Sequence, residues 1–216
     1  TMLESISGSA TSVSAVARQA RPTSFVVNIT SGNIIDNSAF SECSGLTSIT
    51  IPDSVTSIGY SAFSNCNRLT TITIPDGVTS IGAYAFLDCT RLTIITIPDS
   101  VTSIGGSAFS NTAWYNNQPD GLVYVGNVVY KYKGKMPNNS SIVLKEGTLG
   151  IAANAFSDCY GLTTATIPDS VTNIGSGAFS NCDKLTRITM GNGVKNLSSW
   201  AFQDCSSLTS ITIPDS

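Results

Sequence analysis

The sequence predicts an α/β solenoid whose stacked coils carry a parallel β-sheet on one face and short helices or 3₁₀ turns on the other, with a β-hairpin inserted midway. Three observations lead there. An Ala-Phe pair recurs with its phenylalanines at Phe40, Phe63, Phe86, Phe109, Phe156, Phe179 and Phe202, a 23-residue step broken once by a step of 47. Each phenylalanine is followed three residues later by Cys43, Cys66, Cys89, Cys159, Cys182 or Cys205, with Thr112 standing in after Phe109, so every cysteine is a repeat position. A fixed period of this length is the mark of an array in which each unit buries its apolar face against its neighbours.

One unit reads Leu69-x-x-Ile72-x-Ile74-Pro75-Asp76-x-Val78-x-x-Ile81-Gly82-x-x-Ala85-Phe86-x-x-Cys89, and Leu92 opens the next. Its first part alternates apolar residues with threonine, the period-two pattern of a half-buried strand. Pro-Asp then favours a turn, because proline presets φ and the carboxylate bonds nearby N–H groups. From Ile81 to Cys89 the apolar spacing fits a short helix or 3₁₀ turn on the opposite side. Gly59, Gly82, Gly105 and Gly175 share a column with Asp36, Ala152 and Ser198, which indicates a need for a small side chain rather than for positive φ.

The repeat breaks between Phe109 and Ile142. There Leu122 to Tyr132 holds two β-type runs around Gly126-Asn127, a two-residue hairpin signal whose register pairs Val125 with Val128 and Tyr124 with Val129. The repeat resumes with Leu144 in the place of Ile74. The organisation expected is an N-terminal segment, 1–24, as a cap, followed by one solenoid domain, 25–216, interrupted by an aromatic hairpin insert at 111–141.

This IPxxVxxIGxxAFxxCxxLxxI unit, in seven copies, resembles the BspA-like leucine-rich repeats. The likeness runs from about Val26 to Ser216, and departs from ordinary leucine-rich repeats in lacking the buried Asn ladder, near whose place lie Ser54, Gly77 and Ser100. The resemblance implies a leucine-rich-repeat solenoid, an extracellular or cell-surface location, and a part in adhesion and host interaction.

Composition bounds the chemistry. Eleven basic against fourteen acidic residues give a net charge of −3, so no positive field exists to hold nucleic acid. No run of 18 or more apolar residues suggests membrane insertion. Histidine is absent, which removes the commonest general base and zinc ligand. The chain is therefore not expected to be an enzyme, and no catalytic, cofactor-binding or metal-binding residue and no cofactor is assigned.

The repeated columns have structural readings. Three cysteines precede the insert and three follow it, so pairing between neighbouring coils would leave one over in each block, and free, core-packed thiols are the better reading. Asp53, Asp76, Asp99, Glu146, Asp169 and Asp215 form a single file suited to turn capping rather than to a converging calcium site.

Two surfaces are candidates for ligand binding. On the outward strand face Thr50, Thr73, Thr96, Thr166 and Thr189 form a column, continued by Thr212. The insert gathers Trp114, Tyr115, Tyr124, Tyr130 and Tyr132, residue types that anchor interfaces but that also suit sealing the break in the core. The function expected is a non-enzymatic, cell-surface or secreted adhesion module for an extracellular protein or glycan, host-derived in the family's setting. A structural unit that self-associates through an uncapped C-terminal end is the alternative. A remote one is ice binding by the Thr array, which Ile94, Arg187 and Val143 interrupt.

Overall fold

A computed structural model describes residues 2–7 and 25–213. The chain divides into two compact units, Thr1–Val101 with Gly105–Gln118, and Thr102–Ile104 with Pro119–Ser216. In both, it coils as a parallel β-solenoid.

In the first unit the front strands are Met2–Ser7, Phe25–Ser31, Leu46–Thr50, Thr71–Thr73 and Ile94–Thr96. Met2–Ser7 lies parallel to Phe25–Ser31, which lies parallel to Leu46–Thr50. Of the N-terminal segment expected as a cap, residues 8–24 lie outside the described ones. In the second unit Ser140–Val143, Leu162–Ile167 and Arg187–Met190 form the corresponding parallel ladder. The alternation expected from sequence holds: Ile72 is buried between exposed Thr71 and Thr73, and Ile188 between exposed Arg187 and Thr189.

Pro-Asp turns the chain after the front strands Leu46–Thr50, Thr71–Thr73, Ile94–Thr96 and Leu162–Ile167, with the N–H of Val55, Val78, Val101 and Val171 donating to the carbonyl of the proline three residues before. A second, two-residue strand follows. Ile34–Ile35, Ser57–Ile58 and Ser80–Ile81 run parallel in the first unit, and Gly150–Ile151, Asn173–Ile174 and Asn196–Leu197 in the second.

The segment expected to be a short helix or 3₁₀ turn is a run of turns without a helix. Two residues of every coil have left-handed backbone, with φ between +51° and +63°. They flank the phenylalanine at two residues before it (Ser38, Ser61, Tyr84, Ser107, Asn154, Gly177, Trp200) and two after it (Glu42, Asn65, Asp88, Asn111, Asp158, Asn181, Asp204). This alternation turns every second N–H along the stack. Phe40, Phe63, Phe86, Phe156 and Phe179 donate to the carbonyls of Ala62, Ala85, Ala108, Ala178 and Ala201 in the following coil, each at 2.7 Å. Intervening residues bond within their own coil, as Ala39 N–H does to Asp36 and Cys43 N–H to Phe40. An α-helix would spend all these donors internally. The one helix among the described residues is Ala113–Asn116.

Inside the coils the phenylalanine rings stack, with Phe40, Phe63, Phe86 and Phe109 spaced 5.2, 5.2 and 5.3 Å between centroids, and Phe156, Phe179 and Phe202 spaced 4.9 and 5.4 Å. The glycine column packs coil on coil: a Cβ on Gly82 would stand 2.6 Å from the Gly59 carbonyl carbon and the Tyr60 nitrogen. Gly59, Gly82, Gly105 and Gly175 are not among the positive-φ glycines, in line with the small-side-chain reading.

Two substitutions separate these constraints. Gly82→Ala, which introduces a backbone clash, should lower stability by about 1–3 kcal/mol. Ser61→Gly, which frees a left-handed position from its Cβ, should raise it by about 0.5–1 kcal/mol. Denaturant midpoints of the two variants are expected to move in opposite directions.

Candidate functional site

The front strands project alternate side chains outward. In the first unit Ser48, Thr50, Thr71, Thr73, Ile94 and Thr96 are exposed. Thr73 lies beside Thr96 and Thr71 beside Ile94, while Asn28 lies beside Thr50. Hydrogen-bonded strands put such neighbours about 4.8 Å apart. In the second unit Thr166 pairs with Thr189, and Val143 with Thr166. Thr164 pairs with Arg187 and donates from Oγ1 to Ser141 Oγ at 2.8 Å. Thr212 is also exposed, and Thr186, Arg187, Ile188, Thr189, Met190, Ser210 and Thr212 line an open hollow of about 470 Å³. The array is not uniformly hydroxylated, since Ile94 is 58% and Val143 71% exposed within it.

The aromatic residues of the insert are less available. Trp114 lies on the helix Ala113–Asn116, which Thr112 caps by accepting from Tyr115 N–H at 3.0 Å. Its indole meets the Phe109 ring edge-on at 5.8 Å, ending the phenylalanine stack of the first unit, and Trp114 and Tyr115 are half-buried. The hairpin Gly121–Val125 and Val128–Lys133 begins the second unit, with Tyr124 opposite Val129 and Val125 opposite Val128, the register expected. Gly126 at the turn has φ +57°, as the first residue of such a loop requires. The Lys145 ammonium sits 4.3 Å from the centre of the Tyr124 ring, and the Tyr124 hydroxyl accepts from the Lys145 N–H at 3.4 Å. Tyr132 is half-buried.

Tyr130 does not fit its reading as a ligand contact. The ladder slips between Val123 and Tyr124, so that Lys131 faces Val123 and Val129 faces Tyr124, leaving Tyr130 as the extra residue of a bulge. It turns inward and is 2% exposed.

The polar columns are spent on joining coils. Ser54, Ser100 and Ser170 hydroxyls donate to the carbonyls of Gly32, Val78 and Thr148 at 2.7–2.8 Å, doing with a hydroxyl what a buried amide ladder would do. Asp169 caps not its own turn but the N–H of Asn192 one coil on, at 2.8 Å. Asp215 lies outside the described residues, as does Pro214–Ser216, the tip of the end expected to self-associate. Asn111 donates to Asp88 at 2.7 Å and Asn181 to Asp158 at 2.8 Å along the second left-handed column. The Asn181 amide, helped by Ser157 and Tyr160 hydroxyls, holds the Asp158 carboxyl below its ordinary range, and the same bond raises the Tyr160 phenol. The exposed pair Tyr60 and Tyr84, edge to face at 5.4 Å, was not signalled by the repeat because the two occupy different columns.

All six cysteines are free thiols. Cys66, Cys89, Cys182 and Cys205 donate to the carbonyls of Phe40, Phe63, Phe156 and Phe179, the phenylalanine of the preceding coil, at 3.0–3.2 Å. Thr112 makes the same use of its hydroxyl toward Phe109 within its own coil, at 2.8 Å. Among the described residues no three His, Cys, Asp or Glu gather as a metal site, and no helix is long and apolar enough to cross a membrane.

The model of the BspA-type leucine-rich repeat region matches residues 22–133 and 129–216, with six copies. No curated protein matches the chain. Among solved structures, a leucine rich cell surface protein from Faecalibacterium prausnitzii A2-165 is 30% identical over 99% of this chain and 67% of its own, with a TM-score of 0.49. A leucine rich repeat protein of T. pallidum is 26% identical over 87% of this chain and 68% of its own, with a TM-score of 0.40. The pneumococcal vaccine antigen PcpA is 19% identical over 85% and 57%, with a TM-score of 0.43.

The thiols differ in reactivity. The Cys66 thiol is pushed well up by its contact with Cys89 and by burial, Cys159 to about 11 by burial, and Cys182 up by its contact with Cys205 and by burial. Half-buried Cys205 is lowered to about 7 by its contact with the Cys182 thiol. An alkylating reagent should therefore modify Cys205 first, at a rate rising as pH passes through about 7. Peptide mapping of the native protein checks the order, and Cys205→Ser should abolish the fast phase.

Proposed function

Because the chain belongs to the BspA-type leucine-rich repeat family, we propose that it is a non-enzymatic binding module of a cell-surface or secreted protein, engaging an extracellular protein or glycan through its outward strand face. The surface location rests on the family membership. The observation that carries the choice of face is the exposure of Thr50, Thr73, Thr96, Thr166 and Thr189, beside inward Ile49, Ile72, Ala165 and Ile188 that are buried in the core. A rigid sheet presents such side chains with little left to order on binding, which lowers the entropic cost of association. The exposed methyls of Ile94 and Val143 add apolar contact among the hydroxyls. The aromatic insert is the weaker site, since Trp114 packs on Phe109, Tyr124 under Lys145 and Tyr130 in the core.

Binding of the purified protein to immobilised extracellular-matrix proteins and glycans tests this reading. Thr73→Lys/Thr96→Lys should weaken saturable binding tenfold or more, an effect of at least about 1.4 kcal/mol, while melting as the parent does. Trp114→Ala/Tyr115→Ala, checked for folding, should retain it. Loss confined to the aromatic variant would transfer the site to the insert, and binding to no panel member would count against a binding module.

A further inference from the structure

The residue two places after the repeat cysteine is Arg68 in one coil and Arg91 in the next. They are the only basic residues between positions 25 and 118. Coil-to-coil hydrogen bonds bracket them, Asn65 N–H to the Leu87 carbonyl at 2.8 Å on one side and Thr93 N–H to the Thr70 carbonyl at 3.0 Å on the other, so the two positions are held in register. Together with Ser44, Asn67 and Thr90 they line an open hollow of about 420 Å³ beside the front strands Thr71–Thr73 and Ile94–Thr96. Asp88 and Glu42, the acidic residues close by in sequence, do not line it, and Asp88 is engaged by Asn111.

We propose that this hollow is an anion-binding subsite for an acidic glycan, in which Arg68 and Arg91 grip a sulfate or carboxylate while Ser44, Asn67 and Thr90 bond the sugar hydroxyls beside it. This rests on the reading of the chain as a binding module but not on the Thr face being its main site. Two guanidinium groups one coil apart repel each other, and an anion between them turns that repulsion into attraction. Their planar forks match the paired oxygens of sulfate and carboxylate. The chemistry of the rest of the lining selects the class of partner. It offers hydroxyls, one amide and no apolar or aromatic side chain, which suits a hydrated saccharide and gives a peptide no pocket for an anchor residue.

The test measures binding to heparin (sulfated), alginate (carboxylate only) and dextran (neutral), with Arg68→Gln/Arg91→Gln set against Lys195→Gln, an exposed cation of the second unit away from the front strands. Heparin and alginate are expected to bind and dextran not, with affinity falling about tenfold between ~50 and ~200 mM salt, as two ionic contacts imply. The double variant should lose tenfold or more for both acidic glycans while melting as the parent does, and Lys195→Gln should leave binding unchanged. Equal weakening by Lys195→Gln would reveal diffuse attraction and overturn the site. Competition by poly-glutamate as effective as that by alginate would overturn the glycan assignment. Failure to bind any acidic glycan, with a protein of the matrix panel still captured, would remove the subsite and leave the binding module standing; failure of both would remove the module as well.

Discussion

The structure depends on one backbone hydrogen bond repeated along the stack, from the N–H of Phe40, Phe63, Phe86, Phe156 and Phe179 to the alanine carbonyl of the next coil. A buried peptide group must be paired, and a turn segment that faces a neighbouring coil can pair only along the stacking axis. Left-handed φ on either side of the phenylalanine makes this possible, because it brings alternate N–H groups round to face the next coil. Once those bonds are at 2.7 Å, the phenylalanines follow at 4.9–5.4 Å, close to strand spacing, and their rings stack nearly parallel. The stacking is thus a consequence of the backbone pairing as much as a source of stability.

Other columns answer the same demand with whatever polar atom is short enough. Serine hydroxyls reach the carbonyls of Gly32, Val78 and Thr148, and thiols reach the phenylalanine carbonyls. Cysteine serves there because it is a small apolar residue with a weak donor, and Thr112 replaces it where the stack meets the helix. The glycine column meets the opposite requirement, an absence of atoms where backbones touch. Chemistry within the repeat is therefore consumed by coil-to-coil closure.

The period, the strands, the small-residue column and the hairpin register were all legible, because apolar alternation and turn residues report directly on which side chains are buried. The turn run was not. Spacing of Ile81, Ala85, Phe86 and Cys89 fits one face of a helix, and burial alone does not distinguish a helix from turns that bury the same residues. A signal was present in the residues two after each phenylalanine, where Asn65, Asp88, Asn111, Asp158, Asn181 and Asp204 show the Asn and Asp preference of left-handed backbone. Tyr130 was misplaced because a bulge shifts the alternation by one, and its tyrosine looks like an exposed strand residue until the slip is seen. The exposed Thr column was legible from alternation alone; the arginine pair was visible as residues, but that the two side chains share one hollow was not.

On the proposed binding face the threonines repeat from coil to coil, so any selectivity between coils comes from positions where the columns vary. The interior is bound to its pattern by backbone closure, so a change there alters stability before it alters affinity. Outward positions carry no such duty, and they are where this chain departs from its own repeat: Ile94 and Arg187 in a row that has Thr71 and Thr164, Val143 in the Thr166 row, Arg68 and Arg91 where Gly45 and Gly161 stand in other coils. Each departure changes one point on a grid fixed at about 4.8 Å by strand pairing. A partner that reads this surface therefore meets groups whose separations are set by the fold and whose identities are set by the exceptions, so that a ligand with anionic groups at sugar spacing and one with apolar anchors would select different coils of the same scaffold.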